Sequence, residues 1–234
     1  MRTLSETLKE KILKVRDIEA ENHIEAMYVK PSHQVRKQAI MRLMFSYVNG
    51  ASFLDVGCAE GFYCNEAMMY GAKSVVGVDV SQSKINRARE MYPLVEFKVS
   101  DSDNLSFYST SSFDFILCAE TLQHILDYKK TLKEMVSIMS DSGLLLITVP
   151  NLSKTHKHEF AKIDVNMSIE TLLDEIGGAG HGKQNAIWKF DTDVLSNELV
   201  SDFNLKIIQR VQIDTPDGMI KNLWTIFLCK KGTQ

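Results

Sequence analysis

Apolar residues recur at two different periods along the chain. Near the N-terminus Leu4, Leu8, Ile12 and Val15 are spaced by three or four positions with lysines and glutamates between them, which predicts an amphipathic helix. A second helix is predicted after Pro31, over residues 33–48. There Val35, Ile40, Leu43, Met44 and Val48 interleave with Arg36, Lys37 and Arg42, and Asn49-Gly50 closes the run. From residue 50 the period shortens. The runs SFLDVG, SVVGVDV, VEFKV, FDFILC and LLLITVP alternate with helical stretches, the pattern of strands buried on both faces of a parallel sheet with helices crossing over. A helix is predicted over 61–70 with Gly71 as its stop. Ser81 is the expected N-cap of a helix that ends before Pro93, and Tyr128, Leu132, Met135, Val136 and Met139 mark one face of a helix between Asp127 and Gly143.

After Pro150 the periodicity breaks down until about residue 190, a length of connection that usually belongs to a lid or insertion. A mobile lid with one short helix near 168–176 is expected there. A helix near 191–203 follows, and the strands LKIIQRVQI and LWTIFLCKK, joined through TPDG, form an antiparallel pair. The organisation read from these patterns is one domain in four parts: a helical cap (1–48), a core (50–150), a lid insertion (151–190) and a C-terminal helix with its strand pair (191–234).

The chain of 234 residues is 44% hydrophobic and 24% charged, with a formal net charge of -3. That balance suits one buried core and excludes a disordered chain or a strongly basic nucleic-acid binder. The opening segment MRTLSETLKEKILKVRDI carries charges throughout and no apolar run of signal-peptide length, and no later run is long enough to cross a bilayer. A cytoplasmic protein without a membrane partner is expected. Cysteines at 58, 64, 118 and 229 make no C-x-x-C pair and have no histidine at ligand spacing, so packed thiols are expected, with no metal site.

The chemistry concentrates at strand ends. SFLDVG runs directly into CAEGFYCNEA, so Gly57 and Gly61 flank a tight turn from strand into helix. Such a turn brings backbone N–H groups and a helix N-terminus up to a ligand at the carboxyl edge of the sheet. A dinucleotide fingerprint would need glycines where Ala59 and Phe62 stand, which opposes an NAD or FAD enzyme. Three more motifs follow in order: GVDVS with Asp79 and Val80, VSDSDNL with Asp101 and Ser102, and FDFILCAETLQHI with Cys118 and His124.

The D-x-G-x-x-x-G loop of Asp55, Gly57 and Gly61, with these strand ends behind it, resembles the class I S-adenosylmethionine-dependent methyltransferases over residues 50–150. The resemblance implies a Rossmann-like α/β fold: a seven-stranded sheet, mostly parallel, with an antiparallel strand near the C-terminus and helices on both faces. It implies S-adenosyl-L-methionine as cofactor, held by the loop through Gly57, Cys58, Ala59 and Gly61. Asp79 and its neighbour Val80 stand where that family holds the ribose hydroxyls, a pair of donors suited to the two oxygens of a carboxylate. Asp101 and Ser102 stand where it contacts the adenine, and Cys118 where it lines the methionine end. Asp55 is expected to order the turn through backbone hydrogen bonds.

Methyl transfer from a sulfonium is an in-line displacement, so holding the acceptor close to the methyl carbon in a desolvated pocket matters most. His124 is the candidate general base, with an orienting role as its rival. His23, Tyr28 and His181 are candidate acceptor contacts, while His156 and His158 read as solvated lid histidines. The expected reaction transfers a methyl group to an O or N atom of a small-molecule acceptor. A tRNA or RNA acceptor is the alternative, using Lys30, Arg36, Lys37, Arg42, Lys129, Lys130 and Lys133, although the net negative charge argues against it. An NAD-dependent oxidoreductase and a non-catalytic module binding the same cofactor rank below these. The oligomeric state stays open, a homodimer included.

Overall fold

A computed structural model describes residues 4–20, 31–153, 155–176 and 186–232. In chain order its elements are α1 (Leu4–Ala20), α2 (Pro31–Phe45), β1 (Ser52–Val56), α3 (Phe62–Met69), β2 (Ser74–Asp79), α4 (Gln82–Met91), β3 (Glu96–Val99) and β4 (Phe113–Ala119). A short 3-10 turn (Leu122–His124) leads to α5 (Tyr128–Ile138), β5 (Met139–Pro150), β6 (Glu159–Phe160), α6 (Ile169–Ile176), β7 (Trp188–Lys189), α7 (Thr192–Ser201), β8 (Leu205–Ile213) and β9 (Trp224–Lys231). Seven strands form one sheet in the order β3-β2-β1-β4-β5-β9-β8. β9 alone runs against its neighbours, antiparallel to both β5 and β8. The expected sheet is therefore present, antiparallel strand included.

Why both faces of the sheet are covered is visible along each strand. Leu54, Val56, Ile116, Cys118, Ile147 and Val149 pack on one face with Tyr128, Leu132 and Met135 of α5 and Leu195 and Leu199 of α7. Their alternates Phe53, Phe115, Leu117 and Leu146 pack on the other with Ile40 and Met44 of α2, Cys64 and Ala67 of α3, and Ile85 of α4. Successive side chains point to opposite faces, so a strand enclosed on both sides must be apolar at nearly every position. All four cysteines are free and buried.

Local signals mark most boundaries correctly. The Ser81 hydroxyl accepts from the Lys84 N–H and caps α4, and Asp127 caps α5 by accepting from the Lys130 N–H. Gly71 ends the turn after α3 with a φ of 86°. Two boundaries differ, the first at Phe45, where α2 ends short of the expected residue 48. Gly143 is not a helix stop: α5 ends at Ile138 and the chain enters β5 at once, with Gly143 inside the strand where its pairing with β4 shifts register between Phe113 and Phe115. A Cβ at Gly143 would lie 2.9 Å from the Ser140 carbonyl oxygen, so this glycine permits a bend in the strand. The β8–β9 strands form the expected antiparallel pair, and the connection between them is longer than its TPDG turn. Gly218 N–H does donate to Thr215, but Asp214 then holds the loop base through the Asn222 N–H and the Lys221 ammonium.

Among the described residues between β5 and α7, several join the rest of the protein. β6 and β7 pair antiparallel, and Ile163, Leu172, Ile176 and Ile187 share a third apolar cluster with Ile12 and Val15 of α1. His156 is exposed, but the expectation of a solvated loop fails for His158, whose side chain is only 7% exposed. Its Nδ1 accepts the Asp191 N–H at 3.2 Å, which leaves Nε2 to donate to Glu198 Oε2 at 3.2 Å. The Tyr128 hydroxyl donates to the same carboxylate oxygen at 2.8 Å, and the rings of Tyr128 and Phe190 stand edge-on to the imidazole. No helix among the described residues is long and apolar enough to cross a membrane.

Burial holds the His158 pKa below its ordinary 6.5, outweighing the pull of Glu198 in the other direction. The unfolded chain therefore binds this proton at higher pH than the folded one. The stability contributed by the neutral ring is complete above 6.5 and is lost as pH falls below it. Thermal melts are expected to show this decline in the wild type and a flatter one in His158→Gln. An unchanged slope in the variant would exclude the ring as its source.

Candidate functional site

β1, β2, β3 and β4 pair in parallel, so their carboxyl ends lie along one edge of the sheet, the edge where a ligand crevice forms in open α/β sheets. After β1 the chain turns sharply, with Gly57, Ala59 and Gly61 all left-handed at φ 79°, 48° and 83°. The Gly57 and Cys58 N–H groups both donate to the Val78 carbonyl, and Gly61 N–H donates to Cys58. The glycines serve packing as well as curvature. A Cβ on Gly57 would lie 2.2 Å from Thr121 Oγ1, and one on Gly61 would lie 2.4 Å from Phe97 Cζ. Gly77 of β2 leaves room for the same Phe97 ring, so this side chain from β3 is wedged beneath the loop.

Asp79, at the end of β2, is 9% exposed and joins two loops. Its Oδ2 accepts the Ala59 N–H at 3.0 Å and its Oδ1 accepts the Ser81 N–H at 2.9 Å. A carboxylate has about four acceptor positions, so each oxygen keeps one for a ligand while the group is held in a single orientation. Val80 beside it is half-buried. Glu60 in the β1 loop is fixed from α4 by Arg87 at 3.0 Å.

Asp55 behaves differently from expectation. The turn is ordered by Val78 and Asp79, and the hydrogen-bond partner recorded for Asp55 is the Cys64 thiol, 3.8 Å from Oδ2. With 1% exposure, the carboxyl is pushed up to about 8, first by burial and then by the charge of Asp79. It is therefore largely protonated at neutral pH.

At the end of β3, Asp101 and Asp103 face α1. Lys9 reaches both, at 2.7 and 2.8 Å. Burial lowers the Lys9 pKa, yet the hydrogen bonds and charges of the two aspartates outweigh it, so the ammonium stays charged. One turn pair further along α1, Asp17 accepts from the Ser81 hydroxyl at 2.7 Å. Helix α1 thus spans the β2 and β3 ends of the crevice. Ser102 exchanges a hydrogen bond with Thr131 at 3.3 Å.

At the end of β4, Cys118 is fully buried, and the half-buried residues beyond it are Ala119, Glu120 and Thr121. Glu120 has a left-handed φ of 54° and meets Arg36 of α2 at 3.1 Å. His124 is half-buried on the 3-10 turn, with its N–H donating to Thr121. The loop residues 57–61, Asp79, Asp101, Ser102 and His124 are brought to one edge of the sheet, with Asp55 and Cys118 buried beneath it. His23, Tyr28 and His181 lie outside the described residues. Sequence reading missed Lys9, Asp17, Glu120 and Thr121 as site residues. Nothing local marks them, because Lys9 acts on a partner 94 positions away and Arg36 on one 84 positions away.

A family model described as a methyltransferase domain matches residues 48–194. Among curated proteins, a ubiquinone biosynthesis O-methyltransferase of Bradyrhizobium diazoefficiens is 27% identical over 108 residues, 44% of this chain and 42% of that protein. A ubiquinone/menaquinone biosynthesis C-methyltransferase UbiE of Campylobacter jejuni is 25% identical over 150 residues, 61% of this chain and 63% of that protein. The chain therefore spans between 42% and 63% of the length of these curated relatives. Among solved structures, the 1,6-didemethyltoxoflavin-N1-methyltransferase of Burkholderia thailandensis, with 1,6-didemethyltoxoflavin and S-adenosylhomocysteine bound, matches with a TM-score of 0.69. That match has 15% identity and covers 100% of this chain and 92% of that one, a likeness of fold.

Two outcomes follow from the geometry. Gly57→Ala is expected to cost about 1–3 kcal/mol in thermal or denaturant unfolding. Adding Thr121→Gly should recover the steric part and leave the strain of the positive φ. For Asp55, the folded pKa of about 8 exceeds the ordinary 3.8, so stability is complete below 3.8 and is lost as pH rises through 8. Asp55→Asn is expected to flatten that loss in urea titrations across the same range. A wild-type slope in the variant would mean that the folded protein holds no proton there.

Proposed function

The chain belongs to the class I S-adenosylmethionine-dependent methyltransferases, and from that premise we propose that it transfers a methyl group to an oxygen or nitrogen atom of a small-molecule acceptor. The observation that carries this reading is Asp79, fixed by the Ala59 and Ser81 N–H groups with one acceptor position per oxygen left over, across from the turn at Gly57 to Gly61. That arrangement fits a vicinal diol, which offers two donors. The bound donor supplies an electrophilic methyl carbon on a positively charged sulfur.

In this reading Asp79, beside Val80, receives the ribose hydroxyls, while the backbone of Gly57, Cys58, Ala59 and Gly61 lines the donor. Asp101 and Ser102 border the adenine, with Lys9 holding Asp101 in place. Asp55 and Cys118 support the floor of the site from within the core. His124 takes the proton that an O–H or N–H acceptor loses as it attacks. The cap and the insertion exclude water from the reacting atoms. His23, Tyr28 and His181, which lie outside the described residues, are the candidate acceptor contacts by sequence.

A small acceptor is favoured over RNA by the state of the basic residues. Arg36 pairs with Glu120, Lys129 with Glu198 and Asp202, and Lys130 with Asp103, while Lys37 lies over the Phe62 ring at 3.3 Å. Charges spent within the protein release few counterions from a polyanion. The relatives named above methylate oxygen, carbon and nitrogen by their names, so the acceptor atom does not carry over from them.

Isothermal titration of Asp79→Ala with S-adenosylhomocysteine is expected to show affinity lower by about tenfold or more, the scale of a lost hydrogen-bonded charge. His124→Ala should keep that affinity and lower turnover by about 10²–10⁴, measured with labelled S-adenosylmethionine on whichever acceptor a metabolite screen reveals. Unchanged turnover would leave the histidine an orienting role only.

A further inference from the structure

Where the insertion meets α5 and α7, the structure buries a titratable cluster that the transfer chemistry does not use. His158 stands just before β6. Its Nδ1 accepts the Asp191 N–H and its Nε2 donates to Glu198. A backbone N–H can only donate, so Nδ1 can take this bond only while it carries no proton. Both ring nitrogens are thus committed in one neutral tautomer, with the buried rings of Tyr128 and Phe190 edge-on to the imidazole.

The charged groups around the ring come from three elements. On α7, Glu198 also accepts from the Tyr128 hydroxyl of α5, and Asp191 accepts the Asp193 and Val194 N–H groups as the N-cap. Lys129 of α5 pairs with Glu198 and Asp202. On the ring's own segment, Glu159 accepts from the Ser153 and Thr155 hydroxyls, Lys157 is exposed, and His156 Nδ1 lies 3.7 Å from Asp191 Oδ2. A proton on His156 would strengthen its contact with Asp191. A proton on His158 acts in the opposite sense: the new Nδ1–H meets the Asp191 N–H, donor against donor. Glu198 attracts the charged ring, but only through Nε2, and burial disfavours the charge.

The strands beside the ring connect it to the candidate base. β6 begins at Glu159 and pairs with β7, and the Ala161 N–H donates to the Ile187 carbonyl at 2.8 Å. Phe160 of β6 stands edge-on to Trp188 of β7, their ring centres 4.8 Å apart. The Trp188 indole N–H donates to the Leu126 carbonyl at 3.2 Å, on the turn that carries His124. We propose that His158 is a positioning residue that works as a latch: its neutral ring seats β6 on β7 and, through Trp188, steadies the His124 turn, and protonation releases both. That this turn faces the methyl acceptor rests on the reading given above.

Hydrogen exchange of the full chain followed by NMR reads the latch without an acceptor, at the Ala161 amide and the Trp188 indole. After correction for intrinsic exchange, protection in the wild type is expected to fall about tenfold for each pH unit between 6.5 and the ring's lowered value, the dependence of an opening that takes up one proton. His158→Gln can offer an amide oxygen to the Asp191 N–H and an NH2 to Glu198 without titrating, so its protection should stay level over that range. His158→Ala should be poorly protected throughout. Level protection in the wild type overturns the proposal. So does a fall in His158→Gln that matches the wild type, which would assign the proton to another group, and so does a fall at Ala161 that leaves Trp188 unmoved. Titration with S-adenosylhomocysteine on the same samples tests the donor reading separately: a wild type that does not bind it refutes that reading, while the exchange data still decide the latch.

Discussion

The structure of the crevice depends on one carboxylate with a backbone N–H on each oxygen. Asp79 ties the turn after β1, through Ala59, to the turn after β2, through Ser81. Both turns leave parallel strands that pair along their length, and parallel pairing alone says nothing about what the chain does once each strand ends. The aspartate removes that freedom. It also keeps the left-handed Ala59 in place, a conformation that an L-residue adopts only when its surroundings demand it.

Packing beneath the turn enforces the same geometry. Phe97 fills the space that side chains at Gly61 and Gly77 would take, and Thr121 fills that of Gly57. The glycines therefore have a double cause. A positive φ demands them at 57 and 61, and a close neighbour would demand them even with an ordinary backbone. The polar groups at this edge are oriented by bonds within the protein.

Helix α1 and the insertion contribute a different kind of constraint. Their apolar residues share a small cluster separate from the two sheet faces, and α1 meets the crevice through polar contacts of Lys9 and Asp17. Partly exposed ion pairs of this kind contribute little to stability, yet they select one position for the helix over the β2 and β3 ends. On the far side Arg36 and Glu120 do the equivalent for α2 and β4. Each half of the crevice is thus bounded by a helix from the N-terminal segment and by a carboxylate at a strand end.

The sequence alone determined the seven-stranded sheet, most of the helices that cover it and the family resemblance. Those features are local: alternation within a strand, a capping serine three residues from the N–H it accepts, a glycine turn between strand and helix. It also placed 57–61, Asp79, Asp101 and Ser102 at strand ends, since parallel topology puts every such end on one edge. Only the tertiary structure decided that Lys9 pairs with Asp101 and Asp103, that Arg36 leaves its basic stripe to meet Glu120, and that His158 sits in an aromatic box with Glu198. It also decided that Asp55 turns from a backbone acceptor into a buried, protonated carboxyl, and that Gly143 bends a strand. The physical reason is range: periodicity and capping act within a few residues, whereas burial and charge pairing depend on which distant segments the folded sheet brings together.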